Sequence, residues 1–124
     1  MESVTYSKNL KISPKKLRFL LFNLKKQSPD RALELLMYMP KKSAKILYQV
    51  IKSAIVNAKN TLKVGDNLLK FKTLGIDEGN KLKRFQPGGR GTAKPYVKRF
   101  SHVKVVLEAR ENKLSTNKKT DIKK

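Results

Sequence analysis

An α+β fold is the class this sequence predicts, and three observations predict it. Two Ser-Pro pairs, Ser13-Pro14 and Ser28-Pro29, each stand before leucines that repeat at helical spacing. A longer run, roughly Lys41 to Lys63, is amphipathic at the same period. The remaining length holds β-compatible, partly alternating segments on either side of a stretch dense in glycine and proline. At 124 residues there is room for one domain and not for two ordinary ones.

Taken in order, Thr5 to Ile12 reads as a short strand feeding the first helix. Ser13 is placed to cap free amides, and Pro14 at the first helical position forfeits no hydrogen bond. Leu17, Leu20, Leu21 and Leu24 then make one buried stripe. Ser28-Pro29-Asp30 repeats the start signal, with Asp30 favoured by the helix dipole. Leu33, Leu36 and Met37 are expected on the apolar side of this second helix, and Pro40 ends it.

The third helix carries more information. At about 100° per residue, Leu47, Val50, Ile51, Ala54, Ala58 and Leu62 cluster on one side. Lys41, Lys45, Lys52, Lys59 and Lys63 fall within about 40° of one another on the opposite side. No acid lies between Glu34 and Asp66 to offset them. Solvated helix faces usually mix signs. An unmixed lysine stripe leaves two readings open, a solvated face and a phosphate-contacting one.

Val64-Gly65-Asp66-Asn67 is a turn, and Leu68 to Ile76 reads as a strand. Asp77-Glu78-Gly79-Asn80 is expected to break or bend it. Near the far end, Val103, Val105 and Leu107 alternate with His102, Lys104 and Val106, the pattern of another strand. A single domain is expected over 1–110, with an arm over about 79–102. Residues 111–124 are lysine-rich, have little to bury, and are expected to form a disordered tail.

Charge narrows the function. The formal net charge is +21, and self-repulsion of that size stabilises nothing in a free globular protein. A polyanionic partner accounts for it. No run approaches the ~20 apolar residues of a spanning helix, so a membrane is the weakest candidate. Neither a signal peptide nor a transit-like segment is read at the start, and a cytoplasmic location is expected. With no cysteine and one histidine, disulfides and the usual zinc sites are out, and no cofactor is expected. Metal-assisted hydrolysis needs clustered carboxylates or histidines, yet the only adjacent acidic pair is Asp77-Glu78, placed before a glycine as at a bend. An enzyme is therefore not expected.

The charge is concentrated. Between Glu78 and Glu108 there is no acid, but there are Lys81, Lys83, Arg84, Arg90, Lys94, Lys98, Arg99 and Lys104. Arginine, which favours bidentate phosphate contacts, is enriched here. At the centre lies Gln86-Pro87-Gly88-Gly89-Arg90-Gly91-Thr92-Ala93-Lys94-Pro95, the tip of a loop or long hairpin whose arms are Asn80 to Phe85 and Tyr96 to His102. Isolated two-stranded hairpins are marginal in water, so such an arm would depend on its partner. Phe85, Tyr96 and Phe100 are open to base stacking or to packing across the hairpin.

Several stretches carry a resemblance to the ribosomal large-subunit protein twenty-two family, of bacterial type. They are Ile12-Ser13-Pro14-Lys15-Lys16-Leu17-Arg18, Pro40-Lys41-Lys42-Ser43-Ala44, Ser53-Ala54 with Asn57-Ala58, and Asp77-Glu78-Gly79. Beyond these come Leu82-Lys83-Arg84-Phe85, Pro87 with Arg90-Gly91, and Lys98-Arg99-Phe100-Ser101-His102-Val103. Order and spacing hold from about Ser7 to Arg110. The resemblance implies three helices packed on a small three-stranded antiparallel sheet, with a long extended β-hairpin arm. It also implies a structural role in the large ribosomal subunit: binding its ribosomal RNA, supporting assembly, and lining the nascent-peptide exit tunnel near large-subunit protein four.

Carried onto this sequence, Lys83, Arg84, Arg90, Lys98, Arg99, Ser101 and His102 would face RNA, joined by Lys15, Lys16 and Arg18 of the first motif. The basic candidates Lys41, Lys45, Lys52, Lys59, Lys81 and Lys94 complete the expected RNA-binding set. Gln86 to Lys94 (Gln86, Pro87, Gly88, Gly89, Arg90, Gly91, Thr92, Ala93, Lys94) would form the tunnel tip. Family tips are richer in arginine than this one, which has Gly88-Gly89 and Thr92, and Pro95 and Phe100 also depart from the family pattern. The competing reading is a DNA-architectural protein whose basic arm enters the minor groove.

Overall fold

The computed structural model describes residues 2–110, so the tail expected over 111–124 lies outside the described residues. A first strand, β1 (Glu2–Leu10), leads into three helices, α1 (Pro14–Leu24), α2 (Pro29–Tyr38) and α3 (Lys42–Leu62). Two long strands follow, β2 (Leu69–Pro87) and β3 (Ala93–Ala109). The sheet is antiparallel in the order β1-β3-β2. The fold is α+β, three helices on a three-stranded sheet, with the outer halves of β2 and β3 forming the hairpin.

Both Ser-Pro pairs start helices as their chemistry demands, with Ser13 and Ser28 in extended conformation just before them. Leu17, Leu20, Leu21 and Leu24 are all buried, as the stripe requires. From α3, Leu47, Val50, Ile51, Ala54 and Ala58 meet them in one core, which Val103, Val105 and Leu107 of β3 close from the sheet side. Lys63 ends α3 in the left-handed region, at φ 53.

Three expectations need correction. β1 begins at Glu2, before the expected Thr5. Asp77-Glu78-Gly79-Asn80 does not break the strand, the first of the two outcomes expected; β2 runs through it with the second, a bend at the register shift between Glu78 and Lys81. Gly79 is required there, because a Cβ would lie 2.9 Å from the backbone carbonyl carbon and oxygen of Phe100. On α2 Ala32 and Leu36 are buried and Leu33 packs half-buried against the core, whereas Met37 is 69% exposed. Met37 follows Leu36 by a full 100° of rotation, which carries it off the four-residue line that faces α3.

The core ends where the arm begins. Its last members are Ile76 on β2 and Val103 on β3. Beyond them, pairs from Lys81↔Arg99 to Pro87↔Ala93 continue the ladder, with exposed side chains throughout. At the tip, the Gly88 N–H donates to the Thr92 carbonyl at 2.6 Å. The Thr92 hydroxyl donates to the Gly89 carbonyl at 2.7 Å.

Candidate nucleic-acid interface

The Ile12 N–H donates to the Leu10 carbonyl at 2.8 Å, turning the chain tightly between β1 and α1. That turn sets the start of α1 beside the start of α3 and the root of the arm. Together they line an open groove of about 1480 Å³. This exceeds the ~300–1,000 Å³ of an ordinary small-molecule pocket. Lys11, Lys15, Lys16 and Arg18 enter from the first helix and its lead-in, and Lys41 and Lys42 from the start of α3. Lys98 and Arg99 come from the arm, so eight cations and, among the described residues, no acid face the groove.

The helix ends add to this field. Neither Ser13 nor Lys41, the capping positions of α1 and α3, makes a side-chain cap hydrogen bond, and neither first turn holds an acid. Helix starts in this state present unpaired N–H groups and the positive end of the dipole. Arg18 is partly committed to structure, donating from Nη2 to the Ile76 carbonyl at 3.0 Å. Phe19 also lines the groove, with Lys41 Nζ 4.9 Å from its ring centroid, inside cation–π range.

The structure thus gathers six of the expected binding residues, Lys15, Lys16, Arg18, Lys41, Lys98 and Arg99, from segments far apart in sequence. Lys45, Lys52 and Lys59 lie elsewhere, on the exposed side of α3, with Lys52 Nζ 5.9 Å from the Tyr48 ring. Lys81, Lys83, Arg84, Arg90 and Lys94 are exposed along the arm. Lys81 approaches Glu78 at 3.9 Å, and Arg84 donates to the Lys83 carbonyl at 2.9 Å. Arg90 sits at the tip with φ 58, in the left-handed region that few non-glycine residues adopt.

Two expected residues are turned to structure. Ser101 is fully buried and its hydroxyl has no partner among the described residues, which corrects the expectation that its side chain faces RNA. His102 is half-buried; its Nδ1 accepts the Asn9 N–H at 3.1 Å, and its ring lies 6.0 Å from that of Tyr6. The groove also includes Lys11, Lys42, Ser43 and Phe19, which sequence reasoning did not count as binding residues. The available signal was the start of α3: Lys41-Lys42-Ser43 places two cations and a hydroxyl where amides are unpaired.

Among the described residues, no group of three or more histidine, cysteine, aspartate or glutamate side chains is placed to hold a metal. Among the same residues, no helix is long and apolar enough to cross a membrane. The family model described as Ribosomal protein L22p/L17e matches residues 5–108. A protein of Lawsonia intracellularis named "Large ribosomal subunit protein uL22" is 37% identical over 107 residues, covering 86% of this chain and 96% of its own. The protein of the same name from Fervidobacterium nodosum is 34% identical over 118 residues, covering 95% of this chain and 80% of its own. That of Thermotoga sp. strain RQ2 is 34% identical over 110 residues, covering 89% and 69%. The match takes in β1 from residue 5 on, all three helices, the groove and the whole hairpin, and the chain belongs to the ribosomal protein L22p/L17e family.

Proposed function

We propose that this chain is a structural constituent of the large ribosomal subunit, in the cytoplasmic ribosome, and that it binds large-subunit ribosomal RNA through the groove and the arm. Its family is one of ribosomal proteins, structural rather than enzymatic. The observation that carries the RNA reading is a continuous acid-free surface. It runs from the two helix starts onto a hairpin that has no core of its own. Phosphates neutralise that surface, release counterions and hold the arm extended. The tip, Gln86 to Lys94, lies along the nascent-peptide exit tunnel beside large-subunit protein four, and the arm helps RNA segments assemble around it.

The test is Arg84→Glu with Arg99→Glu. Both residues are exposed, so the isolated chain should keep its fold by circular dichroism. Incorporation into large subunits, read by gradient profile, should fall severely. Particles carrying the unaltered chain should retain it at moderate salt and release it to ribonuclease but not to deoxyribonuclease. Normal incorporation of the double variant, or release by deoxyribonuclease, overturns the reading.

A further inference from the structure

The groove is built for more than phosphate. Ser43, at the second position of α3, is only 7% exposed and lines the groove, yet its hydroxyl makes no hydrogen bond among the described residues. Beside the cations stand apolar side chains that remain exposed. Phe19 is 71% exposed, and Leu82 and Val97 of the arm are exposed on a hairpin otherwise crowded with charge. A-form duplex RNA offers phosphates and 2′-hydroxyls but no base faces, and would leave the Phe19 ring in water. An unpaired base covers it.

We infer that the groove takes one unstacked nucleotide of RNA, its base lying against Phe19 and its phosphate at the start of α3 with Ser43 and Lys42. This rests on the RNA-binding reading above and narrows it from a polyanion to a single-stranded segment. The phosphate accepts from the free amides at the helix start, and Ser43 supplies one further donor. Lys41, already over the Phe19 ring, bridges the two halves of the nucleotide by holding phosphate while flanking the stacked base.

The experiment uses the full chain and three probes of equal length: a single-stranded RNA with a central 2-aminopurine, the same strand with an abasic site there, and an A-form duplex. Binding is read by anisotropy and stacking by 2-aminopurine quenching. The intact strand should bind about tenfold more tightly than the abasic one, the scale of one base–aromatic stack. Phe19→Ala should bring the intact strand down to the abasic affinity and abolish the quenching, and Phe19→Tyr should restore both. Lys42→Glu, which suits the helix dipole and so spares the fold, should weaken the intact strand and reduce the salt slope by about one. In large subunits carrying Phe19→Ala, one unpaired nucleotide should gain reactivity to chemical probing.

Equal binding of intact and abasic strands, preference for the duplex, or competition by an acidic aromatic peptide at lower concentration than RNA overturns the inference. The RNA reading survives those results if Arg84→Glu with Arg99→Glu still weakens all three RNA probes. Failure to bind any of them at low salt removes both.

Discussion

Strands β2 and β3 pass through two environments without interruption, and their inner and outer halves are held by different forces. Between Leu69 and Ile76, and between Val103 and Ala109, side chains alternate inward onto the helices, and Leu69, Leu74, Val103, Val105 and Leu107 are buried. Past Gly79 the same ladder runs on, but Phe85 is 72% exposed and Lys81 stands directly across from Arg99. Like charges opposed in a sheet are destabilising. Backbone pairing fixes the shape of both halves; burial stabilises only one. Such unevenness is expected of a part whose remaining contacts come from a partner.

The sharpest break of that contrast is Leu47→Asp in α3. Leu47 is fully buried at the centre of the core, where an unpaired carboxylate has no acceptable solvation. The loss should exceed about 4 kcal/mol, most of the stability of a domain this size. Thermal melting by circular dichroism should show no cooperative transition, and an unchanged melt would refute the buried face assigned to α3.

Gly79→Val acts at the junction and should cost less, about 1–3 kcal/mol, because the added side chain presses on the Phe100 backbone. Hydrogen exchange should show protection lost in 80–100 while Val103 to Leu107 keep theirs. Equal loss in both halves would mean that arm and base open as one unit. Phe85→Ala, on the arm proper, should move the melting point hardly at all, within about 0.5 kcal/mol.

Local signals in the sequence spoke clearly where one residue type decides the outcome. Ser13-Pro14 and Ser28-Pro29 each start a helix when leucines at helical spacing follow, and the leucine stripe of α1 has one buried solution. The arm was legible because glycine, proline and unopposed charge cannot enter a core. Continuity of β2 was not: Asp77-Glu78-Gly79-Asn80 looks like a turn until β3 is laid alongside and makes it a bulge. The burial of Ser101 was hidden for the same reason, since cross-strand packing and not residue type turns it inward. The groove is legible last, because it exists only once Lys11, Lys41 and Lys98 share a wall.

Acid should separate the two halves by the smallest margin. Lys70 lies 3.0 Å from Glu108, and Lys72 pairs with Glu2 on the same sheet end. The hydrogen bond from Lys70, aided by the charges of Lys70 and Lys72, holds the Glu108 carboxyl below the usual carboxylate range. A folded-state value below the unfolded one means the contribution is fully present above the ordinary carboxylate pKa and is lost as pH falls through the folded value. The arm from Lys81 to Arg99 has no acid to protonate. Titration to acid should therefore loosen the Leu69–Ala109 end of the sheet first, seen as faster amide exchange there with no change in the arm. Lys70→Met should flatten that dependence. An equal acid response in the arm would show that the two halves are coupled after all, through the one ladder they share.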